Sequence, residues 1–206
     1  MLKIHGRKNS INVIKVLWCV GELDLEYERI DIGGAFGGND QPEYLAKNPM
    51  GRVPTIEEDG LILWESQSIV RYLAAKHGVG TLYPEDPGQR AKGEIWMDWY
   101  VAHLHPSMTK MFWGLVRTAV DERDEDGIAS AIEEAGEHWS ILNDHLKDKG
   151  FVGGDKLTIG DIPVGAAAFR YYELVKERPN MPNLDRWYAS LSERSAYRTH
   201  AMNPLS

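Results

Sequence analysis

Two short stretches of this 206-residue chain place polar groups where they can grip a small ligand. The first, Asn48-Pro49-Met50-Gly51-Arg52-Val53-Pro54, ends on a proline at the start of a strand. Proline cannot donate to a strand ladder, so it sits at an edge or in a cis turn and leaves neighbouring backbone groups free to pair with an extended peptide. The second stretch, Trp64-Glu65-Ser66, opens a helical segment. There the Glu65 carboxylate offers an acceptor for an ammonium, while the Ser66 hydroxyl and the free N–H groups of the helix start suit a carboxylate. Together the two stretches match the α-amino-acid end of a ligand. The competing structural roles are that Ser66 caps its helix and that Pro54 closes a loop.

Other chemistries are disfavoured by composition. Cys19 is the only cysteine, which excludes an internal disulfide, a CxxC pair and a cysteine-based zinc cluster. It lies among apolar residues of a helical segment and reads as a buried structural thiol, so thiol chemistry, if present, must use a thiol brought by a ligand. His103 and His105 are two apart and point to different helix faces, and no third ligand accompanies them, so no metal is expected. The loop Gly33-Gly34-Ala35-Phe36-Gly37-Gly38 lacks the Lys-Ser/Thr ending of a phosphate loop, which argues against a nucleotide site. Lys plus Arg number 23 against 31 Asp plus Glu, and the net charge of −8 opposes nucleic acid and anionic lipid as partners. No run approaches the roughly 20 apolar residues of a membrane span. The segment MLKIHGRKNS has no apolar signal core, so a cytoplasmic location is expected.

The elements that must position these residues follow from periodicity. Leu2 to His5 alternates like a strand, Ile11 to Leu23 carries Val13, Val16, Leu17 and Val20 at helical spacing, and Glu26 to Asp31 reads as a second strand. A loop at 33–38 and a short helix near Pro42 to Lys47 precede a hairpin, Val53 to Glu57 and Leu61 to Trp64, turning at Glu58-Asp59-Gly60. A helix from Ser66 to His77 completes a small α/β domain. Residues 79–88, rich in Gly and Pro, read as a linker. Beyond them only helical signals appear: about Gln89 to Val120, Gly127 to Asp148, Ile159 to Val175 and Leu184 to Leu191. Thr158-Ile159-Gly160-Asp161 has a hydroxyl three residues before a carboxylate, a capping box with Asp in place of Glu.

In this order and spacing, Ser10 and Asn12 at the first strand-to-helix turn, Asn48 to Pro54, Glu65-Ser66 and the Thr158 to Ile162 signature resemble the cytosolic glutathione transferases, especially bacterial theta-like members. The resemblance covers nearly the whole chain. It implies an α/β thioredoxin-like glutathione-binding domain at 1–78, a linker at 79–88, and an all-α domain at 89–206 that contributes the electrophile pocket. It also implies that Ser10 donates its hydroxyl to the glutathione sulfur, with Asn12 beside it as a second donor or a substitute. Val53, before a cis-Pro54, would pair by its backbone with the cysteinyl unit, and Glu65 and Ser66 would hold the γ-glutamyl amine and carboxylate. Arg52 would face the glycyl carboxylate, and Phe36 and Gly37 would border the site. The electrophile would lie against His103, Ser107, Met111, Phe112 and Leu115. A homodimer is implied, with Trp96, Trp99 and Tyr100 as candidate contacts.

The implied activity is conjugation of glutathione, as co-substrate, to a small hydrophobic electrophile, with no metal. Lowering a thiol pKa from about 8.5 by two units raises its ionised share at pH 7 from roughly 3% to about three quarters. A Brønsted slope of about 0.4 to 0.5 weakens the nucleophile roughly six- to tenfold in exchange, leaving a net gain of only a few-fold. Most of the acceleration therefore falls to the positioning of the electrophile. Two competing readings are a glutathione-dependent disulfide oxidoreductase, suggested by the Ser10/Asn12 pair, and a non-catalytic binding module of the same fold.

Overall fold

The computed structural model describes residues 1–206 and opens with a four-stranded mixed sheet. Strand β1 (Leu2–His5) leads through helix α1 (Ile11–Glu22) to β2 (Tyr27–Ile30), and the short helix α2 (Pro42–Leu45) precedes the hairpin of β3 (Thr55–Glu58) and β4 (Leu61–Trp64). Helix α3 (Ser66–His77) follows. The strand order is β2-β1-β3-β4, with β1 parallel to β2 and antiparallel to β3. Leu2 pairs with Tyr27, Ile4 with Ile56, and Thr55 with Trp64. Side chains alternate across the pleat, so Ile4 and Ile56 are buried in the main core while His5 reaches the Tyr44 ring of α2 on the other face.

The second half is helical: α4 (Pro87–Trp99), α5 (His105–Phe112), α6 (Glu125–His145), α7 (Asp161–Leu174), α8 (Pro182–Ser192) and α9 (Ser195–His200). The fold is thus the expected α/β unit followed by an all-α one. Helix α4 begins two residues before the expected Gln89, because the Asp86 side chain accepts the Gln89 N–H at 2.8 Å and Pro87 occupies the first helical position. The expected single helix to Val120 is instead α4 and α5 joined by a wider π-type turn at Tyr100–Leu104, with a second such turn at Trp113–Arg117. Helix α9, which carries little apolar periodicity, was not expected. It forms because Tyr197 is buried against Trp18, with ring centroids 4.7 Å apart.

One continuous apolar core of 43 buried residues runs through both halves, so they are held as one packed body. Its central seam is α1 against α7 and α9. Gly165 is required there: a Cβ at that position would lie 2.6 Å from the Trp18 ring. The Glu22–Arg194 ion pair flanks the seam. The Asp161 carboxylate, fully buried, accepts from Thr158 N at 2.9 Å, as a capping box requires, and also from Val152 N and Trp187 Nε1. Burial pushes its pKa up to about 6 against those bonds, so it is a carboxylate at neutral pH that ties α7 to α8 and to residue 152.

Candidate active site

A cleft of about 660 Å³ opens where the turn after β1, residues 48–54, the start of α3 and the α5 face meet. Ser10 is the N-cap residue of α1, with extended backbone (φ −77°, ψ 126°), and its hydroxyl makes no capping bond. It is nearly buried yet lines the cleft, so its donor points at whatever occupies that space. The free N–H groups of α1 lie behind it and favour negative charge there. Asn12 lines the same wall, and its Oδ1 accepts from Lys15 Nζ at 2.9 Å, which leaves the amide N–H₂ as the free end.

The opposite wall is a loop fixed from behind. Tyr44 Oη and Asn48 Nδ2 both donate to the Arg52 carbonyl, at 2.6 and 2.8 Å, and Asn39 Nδ2 donates to the Gly51 carbonyl at 2.8 Å. The Val53–Pro54 peptide is cis, and both residues line the cleft with Arg52. At the mouth of α3, Glu65 holds φ +69°, a conformation that costs a non-glycine residue about 1–3 kcal/mol. Its carboxylate and the Ser66 hydroxyl have no protein partner and face the cleft, so Ser66 does not cap its helix. Ser10, Asn12, Arg52, Val53, Pro54, Glu65 and Ser66 therefore come together although they span 57 positions of sequence.

Three expectations are corrected. Phe36 is 61% exposed and neither it nor Gly37 borders the cleft; the preceding Gly33 and Gly34 do, because the turn at 34–36 folds the Phe36 side chain outward. On the helical side, His103 is exposed beside His138, Ser107 is buried and donates to the Leu104 carbonyl, and Met111 and Leu115 pack in the core. Only Phe112 of that group lines the cleft, together with His105, Met108, Thr109 and Trp113, which share one helical face. Residues 105, 108, 109, 112 and 113 recur at ordinary helical spacing on a face rotated from that of 107, 111 and 115, and periodicity alone does not say which face of a helix meets a cleft. Finally, Trp96 and Tyr100 are buried in the core and are not surface contacts.

Against this geometry stand the known proteins. Residues 2–75 match the family model described as "Glutathione S-transferase, N-terminal domain", and residues 97–195 match "Glutathione S-transferase, C-terminal domain". The chain is 40% identical to the glutathione S-transferase GstB of Escherichia coli, with 100% of both chains covered. The chain belongs to the glutathione S-transferase family. A theta-class glutathione S-transferase from Xanthomonas axonopodis pv. citri, solved with glutathione bound, superposes with a TM-score of 0.96 at 44% identity, covering 100% of this chain and 99% of that one. Glutathione transferase F7 of Populus trichocarpa gives 0.86 at 25%, covering 99% and 100%.

Several residues of this transferase's cleft were not singled out by sequence. Lys15 is buried under Asn12, with its ammonium 4.3 Å from the Tyr100 ring centroid. Burial and the neighbouring Arg170 bring its pKa down to about 7, while Glu65 acts in the opposite sense. His105, which bonds to Tyr100 Oη at 3.0 Å, is driven down to about 4 by burial and by Lys15 and Arg170, so it is a neutral imidazole. Arg7, Arg117 and Arg170 complete the wall. A signal for two of these existed: Lys15 and Arg170 are lone cations inside the otherwise apolar runs Val13 to Val20 and Ile162 to Tyr171. Cys19 is fully buried and burial pushes its thiol up, which leaves the protein no reactive thiol of its own.

Proposed function

We propose that this cleft binds glutathione, stabilises its thiolate and joins it to a small electrophile. The observation that carries the reading is the convergence of unpartnered polar groups on one cleft: the Ser10 hydroxyl, the Asn12 amide, the Glu65 carboxylate, the Ser66 hydroxyl and the Arg52 guanidinium. In this reading Glu65 takes the γ-glutamyl ammonium and Ser66 its carboxylate. The Val53 backbone pairs with the cysteinyl unit, and Arg52 takes the glycyl carboxylate. The sulfur then lies at the α1 N-terminus beside Ser10 and Asn12. Ser10 and the helix N–H groups hold the thiolate, and the thiol proton leaves to solvent. The electrophile is held against the α5 face of Met108, Phe112 and Trp113.

The exposed apolar side chains Leu61, Ile62 and Trp64 on β4, with Ile95 on α4, support a homodimer. The cytoplasm, where glutathione keeps thiols reduced, is the matching compartment. No helix is long and apolar enough to cross a membrane. The test is a paired assay with glutathione: conjugation of aryl and alkyl halides beside reduction of a small mixed disulfide. Dominant conjugation is expected; dominant disulfide reduction would move the assignment to an oxidoreductase, and no calorimetric binding of glutathione would overturn the site.

A further inference from the structure

The chain carries a net charge of −8, yet the cleft is lined by four arginines and a single carboxylate, Glu65. Arg52 belongs to the glutathione side. Of the other three, outside the set assigned to the tripeptide, Arg117 and Arg170 lie on the helical side and Arg7 packs over Gly33 and Gly34. Arg170 comes from α7 and places its guanidinium 4.0 Å from the Phe112 ring centroid; Arg117, at the end of the α5 segment, lies 5.7 Å from the same ring. Arg7 comes from the turn after β1; burial first, and then the like charges close by, lower the pKa of Arg7 and of Arg170.

None of the three pairs with an acidic side chain. Arg170 is 8% exposed; one Nη donates to the Asn9 carbonyl at 3.0 Å, and its buried Nε has no partner. Arg117 donates to the Ser206 main-chain oxygen, and Arg7 lies over Gly33 and Gly34 with no acidic partner. Arg170 is the buried one of the three, and a buried guanidinium without a carboxylate partner is costly to keep; the arrangement becomes favourable once an anion enters. The thiolate accounts for one negative charge only. Two cations on one aromatic platform form a fork suited to a planar carboxylate whose ring stacks on Phe112.

We propose that the co-substrate is an anionic electrophile, a small aromatic or unsaturated compound bearing a carboxylate, held by Arg170 and Arg117 against Phe112; this rests on the glutathione reading above. With 4-chloro-3,5-dinitrobenzoate as probe, the glutathione sulfur attacks the carbon bearing chlorine, the C–S bond forms, and chloride leaves with the C–Cl electron pair.

The experiment compares this acid with its methyl ester, each kcat/KM divided by the uncatalysed rate with glutathione in buffer. The wild type is expected to favour the acid by about tenfold or more, and Arg170→Met and Arg117→Met to lower the acid's value by about tenfold and the acid-to-ester ratio with it. An acid-to-ester ratio near one, or variants that lower both substrates equally, would overturn the proposal while leaving conjugation intact. Calorimetry with the two finished glutathione conjugates, acid and ester, decides the same question without turnover. Tighter binding of the acid conjugate, lost in Arg117→Met, supports the proposal even if neither electrophile reacts, and equal affinity refutes it. Because Arg117 is exposed and Arg170 buried, agreement between the two variants separates loss of the fork from a folding defect.

Discussion

Replacing Lys15 by Met tests how the buried layer beneath the cleft sets the thiol. The aliphatic stem is kept and the ammonium is lost, together with its 2.9 Å bond to Asn12 Oδ1. A sulfur within hydrogen-bond reach of the Asn12 amide N–H₂ lies roughly 8 Å from that ammonium. At an effective dielectric of about 20 the attraction is about 2 kcal/mol, or roughly 1.5 pKa units. A bound thiol titrating near 7 would then return to about 8.5, and its thiolate share at pH 7 would fall from half to roughly 3%. The stronger nucleophilicity of the more basic thiolate offsets much of this, so the rate should drop only about threefold. Titration of bound glutathione by its ultraviolet thiolate absorbance reads the shift directly. Stability supplies a second readout. The ammonium titrates at about 7 in the folded chain against an ordinary 10.5, so between those values the unfolded chain binds the extra proton and wild-type stability climbs with pH. Met has no such slope. Relative to wild type the variant should gain roughly 5 kcal/mol on going from pH 10.5 down to pH 7. An unchanged thiol pKa in a folded variant that still binds glutathione would refute the electrostatic role; a pH-independent stability difference would refute the burial argument.

Ser10→Ala should cost conjugation more than Asn12→Ala, since the Asn12 side chain is already tied to Lys15 through Oδ1 while the Ser10 hydroxyl has no protein partner; equal losses in kcat/KM would remove Ser10 from the leading role. Gly165→Ala should destabilise by about 1–3 kcal/mol, seen as a lowered Tm, because its methyl meets the Trp18 ring. Asp161, whose folded pKa is raised from 3.8 to about 6, binds its proton more readily folded than unfolded, so it favours folding below pH 4 and that contribution is lost as pH rises through 6. Compared with Asp161→Asn in urea melts, wild type should therefore gain roughly 3 kcal/mol between pH 7 and 4, and a constant difference would contradict the raised value.

Sequence alone carried the architecture and the glutathione-side wall. The α/β unit is legible because short alternating strands and an apolar helical stripe have different periods. Residues 48–54 and 65–66 are legible because proline, and a carboxylate and hydroxyl at a helix start, do chemistry through local backbone geometry. Asp161 was readable for the same reason, as a cap three residues from Thr158.

The electrophile side was decided by tertiary structure. A regular helical period admits His103, Ser107, Met111 and Leu115 as one face and His105, Met108, Thr109 and Trp113 as another, and the docking of α5 on the α/β unit turns the second toward the cleft, with Phe112 common to both sets. The Phe36 side chain left the cleft through a three-residue turn that composition does not encode. Arg7, Arg117 and Arg170 come from three elements spread along most of the chain, and their common charge acts only through space. Legible in the residues alone, therefore, were the features that depend on neighbours along the chain: periods, caps and turns. The packing of α7 on α1 and the docking of α5 set which cations and which ring line the cleft, because electrostatic and packing energies depend on distance in three dimensions and not on separation in sequence.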